Sequence, residues 1–294
     1  MKPYLADAAK TREIVERHGF FIKKGYGQNF LIDPRIPAGI AAAAELTKND
    51  TVFEIGPGIG TLTQYLAEKA GRVIALELDR KLEPVLAETL SGWDNITLLW
   101  GDVMKQDLPR LFAENAVRTP VKVVANLPYY ITTPILLRLF AYPGLFSDLT
   151  LMVQQEVGER MAASPGGKEY GALSLTVQYY ADPELALKVP SSAFLPQPKV
   201  SSVVMRLSGR KTPGPNVNEE YFFSVVKAAF LQRRKTLVNA LSAAPQLGAD
   251  RETVLEVLRQ MELDPMIRGE KLSLDRFAEL SERLRTAAQT AVSE

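Results

Sequence analysis

From about residue 36 to residue 157, apolar runs of five to eight residues alternate with longer helical patterns, and this alternation constrains the fold more than any other feature of the chain. The runs Thr51–Ile55, Arg72–Leu78, Ile96–Trp100, Val121–Ala125 and Leu149–Val153 read as strands. Helical stretches flank and separate them: Pro37–Leu46, Thr61–Ala70, Lys81–Leu90 and Thr133–Phe140, the last with Pro134 where a first helical turn tolerates it. Strands joined through helices lie parallel in one sheet, so the expected fold class is α/β, doubly wound. Leu185–Val189 and Val203–Leu207 read as two further strands, and the proline-rich turn Phe194–Lys199 lies between them. Residues 209–218 collect glycine, proline and asparagine and read as a linker. Beyond it only helical periods follow, over Tyr221–Leu231, Lys235–Leu241, Arg251–Met261 and Leu274–Thr286. The expected organisation is therefore an α/β domain over 1–210, with an N-terminal extension, and a small all-α domain over 211–294.

Composition removes whole classes of chemistry. With no cysteine there is no disulfide, no Cys-ligated zinc, no iron–sulfur cluster and no thiol nucleophile, which excludes methylation of a pyrimidine ring through sulfur. The one histidine, His18, reads as a surface or packing residue, so neither a His-based triad nor a two-His metal site is available. No metal is expected. No apolar stretch approaches the length of a membrane span, and the first residues lack an apolar signal core, so a cytoplasmic protein is expected. Net charge is +1, but residues 201–240 carry seven basic and two acidic side chains, and residues 1–35 seven and four.

The segment Glu54-Ile55-Gly56-Pro57-Gly58-Ile59-Gly60 runs from a strand through a glycine turn into a helix. A nicotinamide fingerprint would place its third glycine at position 61, where Thr61 stands. The E-x-G-x-G-x-G spacing instead resembles the S-adenosylmethionine motif of class I, Rossmann-like methyltransferases. Small residues there let the backbone approach a ligand that carries no phosphate. Glu77, at the end of the next strand, stands where a doubly wound nucleotide site places its ribose acceptor. Asp102, after the third strand, supplies another acceptor, which in that family meets the adenine amino group. For Glu77 or Asp102 alone, a solvated loop carboxylate is the alternative.

Asn126-Leu127-Pro128-Tyr129 closes the fourth strand and resembles the N/D-P-P-Y/F/W motif of enzymes that methylate exocyclic amino nitrogens. An adenine N6 lone pair is delocalised into the ring and is a poor nucleophile. If the Asn126 side-chain oxygen and the Leu127 carbonyl hold both amino hydrogens, pyramidalising the nitrogen costs less. Pro128 fixes the turn, Tyr129 offers a flat face for a flipped-out base, and Phe194 is the candidate for the opposite face. The alternative is a plain strand-ending turn with both aromatics in the core.

Gln28-Asn29-Phe30-Leu31, the glycine turn, Asn126–Tyr129, Phe194–Val200 and Gln232-Arg233-Arg234-Lys235-Thr236-Leu237 together resemble the small-subunit ribosomal RNA adenine dimethyltransferases, over nearly the whole chain. The resemblance implies transfer of methyls from S-adenosylmethionine to N6 of two adjacent adenosines, each dimethylated, in the 3′-terminal hairpin of small-subunit rRNA. It implies a monomer acting on a 30S assembly intermediate. It also implies that Asn29, Leu31, Gly56, Gly58, Glu77, Asp102 and Asn126 meet the cofactor. Arg233, Arg234 and Lys235, read as part of a helix, and Lys23 and Lys24 are the expected RNA contacts, with a solvated helix end as the alternative for the three-residue run. An assembly factor that only holds RNA on the same fold is the competing function, and intact motifs at 56–60 and 126–129 favour the enzyme.

Overall fold

The structure, a computed structural model, describes residues 4–19, 29–210 and 214–293. In chain order the elements are α1 (Ala8–Arg17), β1 (Phe30–Leu31), α2 (Arg35–Ala43), β2 (Thr51–Ile55), α3 (Thr61–Lys69), β3 (Arg72–Glu77), α4 (Glu83–Thr89), β4 (Ile96–Trp100), α5 (Leu108–Glu114), β5 (Val121–Asn126), α6 (Thr132–Phe140) and β6 (Phe146–Gln154). They continue as α7 (Gln155–Met161), α8 (Ala172–Tyr180), β7 (Ala181–Val189), β8 (Phe194–Leu195), β9 (Ser202–Gly209), α9 (Glu219–Leu231), α10 (Leu237–Ser242), α11 (Arg251–Gln260) and α12 (Leu274–Ser293).

The seven-stranded sheet has the order β4-β3-β2-β5-β6-β9-β7. β4, β3, β2, β5 and β6 run parallel, and β9 returns antiparallel to β6. Chain order moves outward from β2 in both directions, through β3 to β4 on one side and through β5 to β6 on the other. A doubly wound sheet opens a crevice where that direction reverses, outside the carboxyl ends of the two central strands. Here those ends are Ile55, which leads into the glycine turn, and Asn126. Apart from their first residues β2 and β3 are buried throughout, as strands covered on both faces must be, and this is why they read as nearly continuous apolar runs.

The chain forms two compact units: residues 1–158 with 184–209, and residues 159–183 with 210–294. The expected first domain over 1–210 is therefore corrected, because 159–183 leave it. The physical reason is their side chains. Tyr170, Leu175 and Tyr179 are buried in one apolar cluster with Phe222, Val226, Leu241, Leu258 and Phe277 of the helical unit. Tyr179 stacks on Phe222 with ring centroids 5.2 Å apart, and the Tyr170 hydroxyl donates to the Leu272 carbonyl at 2.9 Å. Within the helical unit, Asn218, Thr236 and Asp250 each accept from a backbone N–H in the first turn of α9, α10 and α11, as N-cap residues do.

In the first unit, His18 Nε2 lies 2.7 Å from a Glu88 carboxylate oxygen and fastens the end of α1 to α4, the packing role expected of it. Among the described residues no helix is long and apolar enough to cross a membrane, and no group of three or more His, Asp or Glu side chains could hold a metal ion.

Candidate active site

Gly56, Gly58 and Gly60 all have positive φ, at +71°, +60° and +88°. At two of them a side chain would also crowd a neighbour. A Cβ on Gly58 would stand 3.3 Å from the Phe30 ring, and one on Gly60 would stand 2.9 Å from Leu90 Cδ2. The turn thus brings bare backbone to the mouth of the crevice, and its N–H groups become structural donors. The Gly58 N–H donates to Glu77 Oε2 at 3.0 Å, and the Asp79 N–H donates to Glu77 Oε1 at 2.8 Å. Both carboxylate oxygens are therefore aimed by backbone donors. Burial raises the Glu77 carboxyl above its usual range, and the N–H bonds from Asp79, Gly58 and Leu78 oppose that shift.

One cavity collects Asn29, Leu31, Gly56, Gly58, Glu77, Asp102, Asn126, Leu127, Pro128 and Tyr129. These residues come from β1 and from the ends of β2, β3, β4 and β5, and only the reversal point of the sheet brings them together. Asp102 Oδ1 accepts from the Met104 N–H at 2.9 Å, which fixes the carboxylate at the cavity edge. Asn126 Nδ2 donates to the Asn29 carbonyl at 3.2 Å. That bond orients the amide of a residue that lines the cavity next to Leu127.

Glu54 entered the sequence reading only as the first residue of the E-x-G-x-G-x-G spacing, with no role in the site, although an acid inside an otherwise apolar strand was a visible signal. Its side chain lines the cavity at 1% exposure, and Oε2 has no hydrogen-bond partner. Burial pushes its carboxyl up to about 8, the charge of Glu77 adds to the shift, and the Thr63 hydroxyl opposes it. Phe30, Leu78, Asp79, Val103, Ile131 and Ile135 also line the cavity, and none of them was an expected site residue. The lining holds Glu54, Glu77, Asp79 and Asp102 and, among the described residues, no Lys, Arg or His. Such a cavity suits a ligand carrying positive charge and repels the pyrophosphate of a dinucleotide.

Phe194 does not line the cavity. It is 3% exposed, pairs with Leu31 across the small β1–β8 sheet, and packs among Leu31, Val124 and Met152. The expected second stacking face is therefore closed off in this structure, because backbone pairing turns the ring into the core.

The basic run is also corrected. Arg233, Arg234 and Lys235 occupy the turn between α9 and α10, with no helix to fan them. The Arg233 guanidinium donates to the Lys168 carbonyl and, at 3.1 Å, to the Tyr170 carbonyl, and it lies 3.3 Å from Glu270 Oε2. It ties the turn to other loops of its own unit. Arg234 and Lys235 are exposed. Gln28, Lys23 and Lys24 lie outside the described residues.

Comparison with known proteins agrees with this geometry. Residues 19–279 match the family model described as ribosomal RNA adenine dimethylase. Ribosomal RNA small subunit methyltransferase A of Moorella thermoacetica is 50% identical over 286 residues, covering 95% of this chain and 98% of the relative. The protein of the same name from Lachnoclostridium phytofermentans is 46% identical over 281 residues, covering 95% and 97%. Among solved structures, a dimethyladenosine transferase from Plasmodium falciparum superposes with a TM-score of 0.74 at 25% identity, covering 88% of this chain and 98% of that one. The 23S rRNA methyltransferase ErmE superposes with a TM-score of 0.65 at 27% identity, covering 87% and 99%. On sequence, fold and the assembled cavity alike, the chain belongs to the ribosomal RNA adenine dimethylase family.

Proposed function

We propose that the protein dimethylates N6 of two adjacent adenosines in the 3′-terminal hairpin of small-subunit rRNA, using S-adenosylmethionine. It does so as a cytoplasmic monomer acting on a 30S assembly intermediate. The observation that carries this reading is the Asn126 amide, held by the Asn29 carbonyl at 3.2 Å in the same cavity as the glycine turn.

The residues fit the cofactor on three grounds. Gly58 stands at positive φ with its Cβ position 3.3 Å from the Phe30 ring, the lining is acidic without a base, and the buried Glu54 Oε2 lacks a partner that a cationic group could supply. Glu77 would accept from the ribose hydroxyls, Asp102 from the adenine amino group, and Asn29 and Leu31 would close over the ligand. When bound, the cofactor supplies a methyl already activated as an electrophile.

The chain's own work is to prepare the nucleophile. Asn126 Oδ1 and the Leu127 carbonyl accept the two N6 hydrogens, which turns the nitrogen lone pair out of conjugation. Pro128 fixes the carbonyl's direction, and Tyr129 holds the extruded base by its face. The loop Asn126–Tyr129 holds no strong base, and the amino proton leaves to water after transfer. Arg234 and Lys235 meet rRNA phosphates, while Arg233 builds the turn that carries them; Lys23 and Lys24 are assigned phosphate contacts on sequence grounds.

The test is incubation of the protein with labelled cofactor and undermethylated small subunits or naked rRNA, with mapping of the methylated positions. Dimethyladenosine at two adjacent sites is expected. Cofactor binding without transfer to either substrate would replace the enzyme by an RNA-holding assembly factor.

A further inference from the structure

Tyr129 opens a single helical turn after Pro128. Its backbone is well held: the Ile131 N–H donates to the Pro128 carbonyl at 3.1 Å, and the Thr132 hydroxyl donates to the same oxygen at 3.2 Å. None of these bonds fixes the ring, which can still turn about its side-chain torsions. The polar contact that does so is at the far end, where the phenol oxygen and Ser202 Oγ are 2.7 Å apart.

Ser202 is the first residue of β9 and is 1% exposed. It stands opposite Gln154 of β6, and the preceding Ser201 carbonyl accepts from the Gln155 N–H at 3.0 Å, so its backbone belongs to the rigid sheet. A hydroxyl buried this deeply has no water to replace a lost partner, and the phenol is half-buried beside it. The pair is therefore a tether between a fixed strand and an aromatic ring that lines the cavity.

The Phe194–Lys199 segment also acquires a role. Its aromatic residue is in the core, but the chain runs from it directly into β9 and delivers Ser202 to Tyr129.

We propose that Ser202 is a positioning residue for methyl transfer: its hydroxyl holds the Tyr129 phenol so that the ring presents a fixed face to the target base. The inference rests on reading Tyr129 as the stacking face. Ser202 itself touches neither base nor cofactor. A stacked base that can tilt with its platform spends less time with N6 aligned, and misalignment on the ångström scale lowers the rate of transfer rather than binding.

The experiment compares Ser202→Ala, Ser202→Thr, Tyr129→Phe, Tyr129→Ala and the Ser202→Ala/Tyr129→Phe double variant in single-turnover methylation of rRNA, with cofactor affinity and KM for RNA measured in parallel. Ser202→Ala and Tyr129→Phe should each lower the transfer rate about tenfold. The double variant should lose no more than either single one, because one bond is broken in all three. Ser202→Thr should restore most of the rate, and cofactor affinity and KM should move less than twofold in the two Ser202 variants, Tyr129→Phe and the double variant. If Ser202→Ala folds poorly, Tyr129→Phe breaks the same bond without disturbing β9.

A purely structural serine would lower the melting temperature and leave the rate of the folded protein unchanged. That result, or losses that multiply in the double variant, overturns the proposal. Tyr129→Ala separates the two levels. If it loses the rate while Ser202→Ala and Tyr129→Phe keep it, only the tether is refuted; if it keeps the rate, the stacking reading falls as well.

Discussion

The loop at Asn126–Tyr129 and the turn at Gln232–Lys235 are both proposed to meet RNA, yet they are built in opposite ways. In the first, neighbours commit the groups around the cavity: the Asn126 amide to the Asn29 carbonyl, the Tyr129 phenol to Ser202, and the Glu77 carboxylate to two backbone N–H groups. In the second, only Arg233 is committed, and Arg234 and Lys235 are exposed. On that proposal the difference follows from what each would recognise. A transition state is a fixed arrangement of atoms and rewards donors and acceptors that are already aimed. A phosphate chain is a line of charge, and mobile cations meet it at little cost.

If that contrast is right, the largest effect should come from the most constrained group. Asn126→Ala removes one of two acceptors for the amino hydrogens and should lower the methyl-transfer rate by about 10² or more. Cofactor affinity by calorimetry should change far less. A rate within a few fold of the parent would make the Asn126 side chain structural and erase the contrast.

Next comes the cradle. Gly58→Val places a branched side chain at φ +60° with its Cβ 3.3 Å from the Phe30 ring. It should weaken cofactor binding at least about tenfold, since neither the strained backbone nor the buried ring can give way freely. Glu77→Ala should weaken it as well, and removes the acceptor that organises the Gly58 N–H. Unchanged affinity in both, with folding intact, would take the cofactor out of this cavity.

These two regions also differ in how far the sequence revealed them. Gly56, Glu77, Asp102 and Asn126 were legible because each ends a strand, and strand ends in a doubly wound sheet converge at one place. The roles of Phe194, Arg233 and Ser202 were not legible. Whether Phe194 faces a cavity or a core depends on its pairing with Leu31, far away in sequence. What Arg233 bonds depends on carbonyls at 168 and 170 that reach it only in the folded unit. The helix α8 was invisible as a member of the second unit for the same reason: an apolar helix looks the same whichever core receives it.

A smaller effect should appear in stability against pH. Glu54 is raised to about 8 from 4.5, so between those values the folded protein holds a proton that the unfolded chain releases. Stability should therefore fall as pH rises through that window, by up to about 1.4 kcal/mol per pH unit. Glu54→Gln, which stays neutral, should flatten this slope in denaturant titrations between pH 5 and pH 8. A parallel pH dependence in parent and variant would mean that Glu54 is ionised throughout, and that the cavity is more polar than its lining suggests.

The smallest effect separates the neighbouring arginines, and it is the sharpest test of the contrast. Replacing Arg234 and Lys235 together removes two exposed cations and no internal bond. Folding stability should stay within about 0.5 kcal/mol of the parent, as for ordinary surface positions. The slope of log RNA affinity against log salt should flatten by up to about 0.9 for each lost duplex phosphate contact. Arg233→Ala should do the reverse. It leaves the Tyr170 carbonyl without its 3.1 Å donor and Glu270 without its ion pair, on a side chain already 45% exposed. The expected cost is about 1 kcal/mol of stability, reduced from the buried-pair range by solvent screening. Its effect on the salt slope should be smaller than that of the pair. Equal changes in slope for Arg233→Ala and for each of its neighbours would show that all three cations meet phosphate alike, and that the turn is organised by something other than the Arg233 guanidinium.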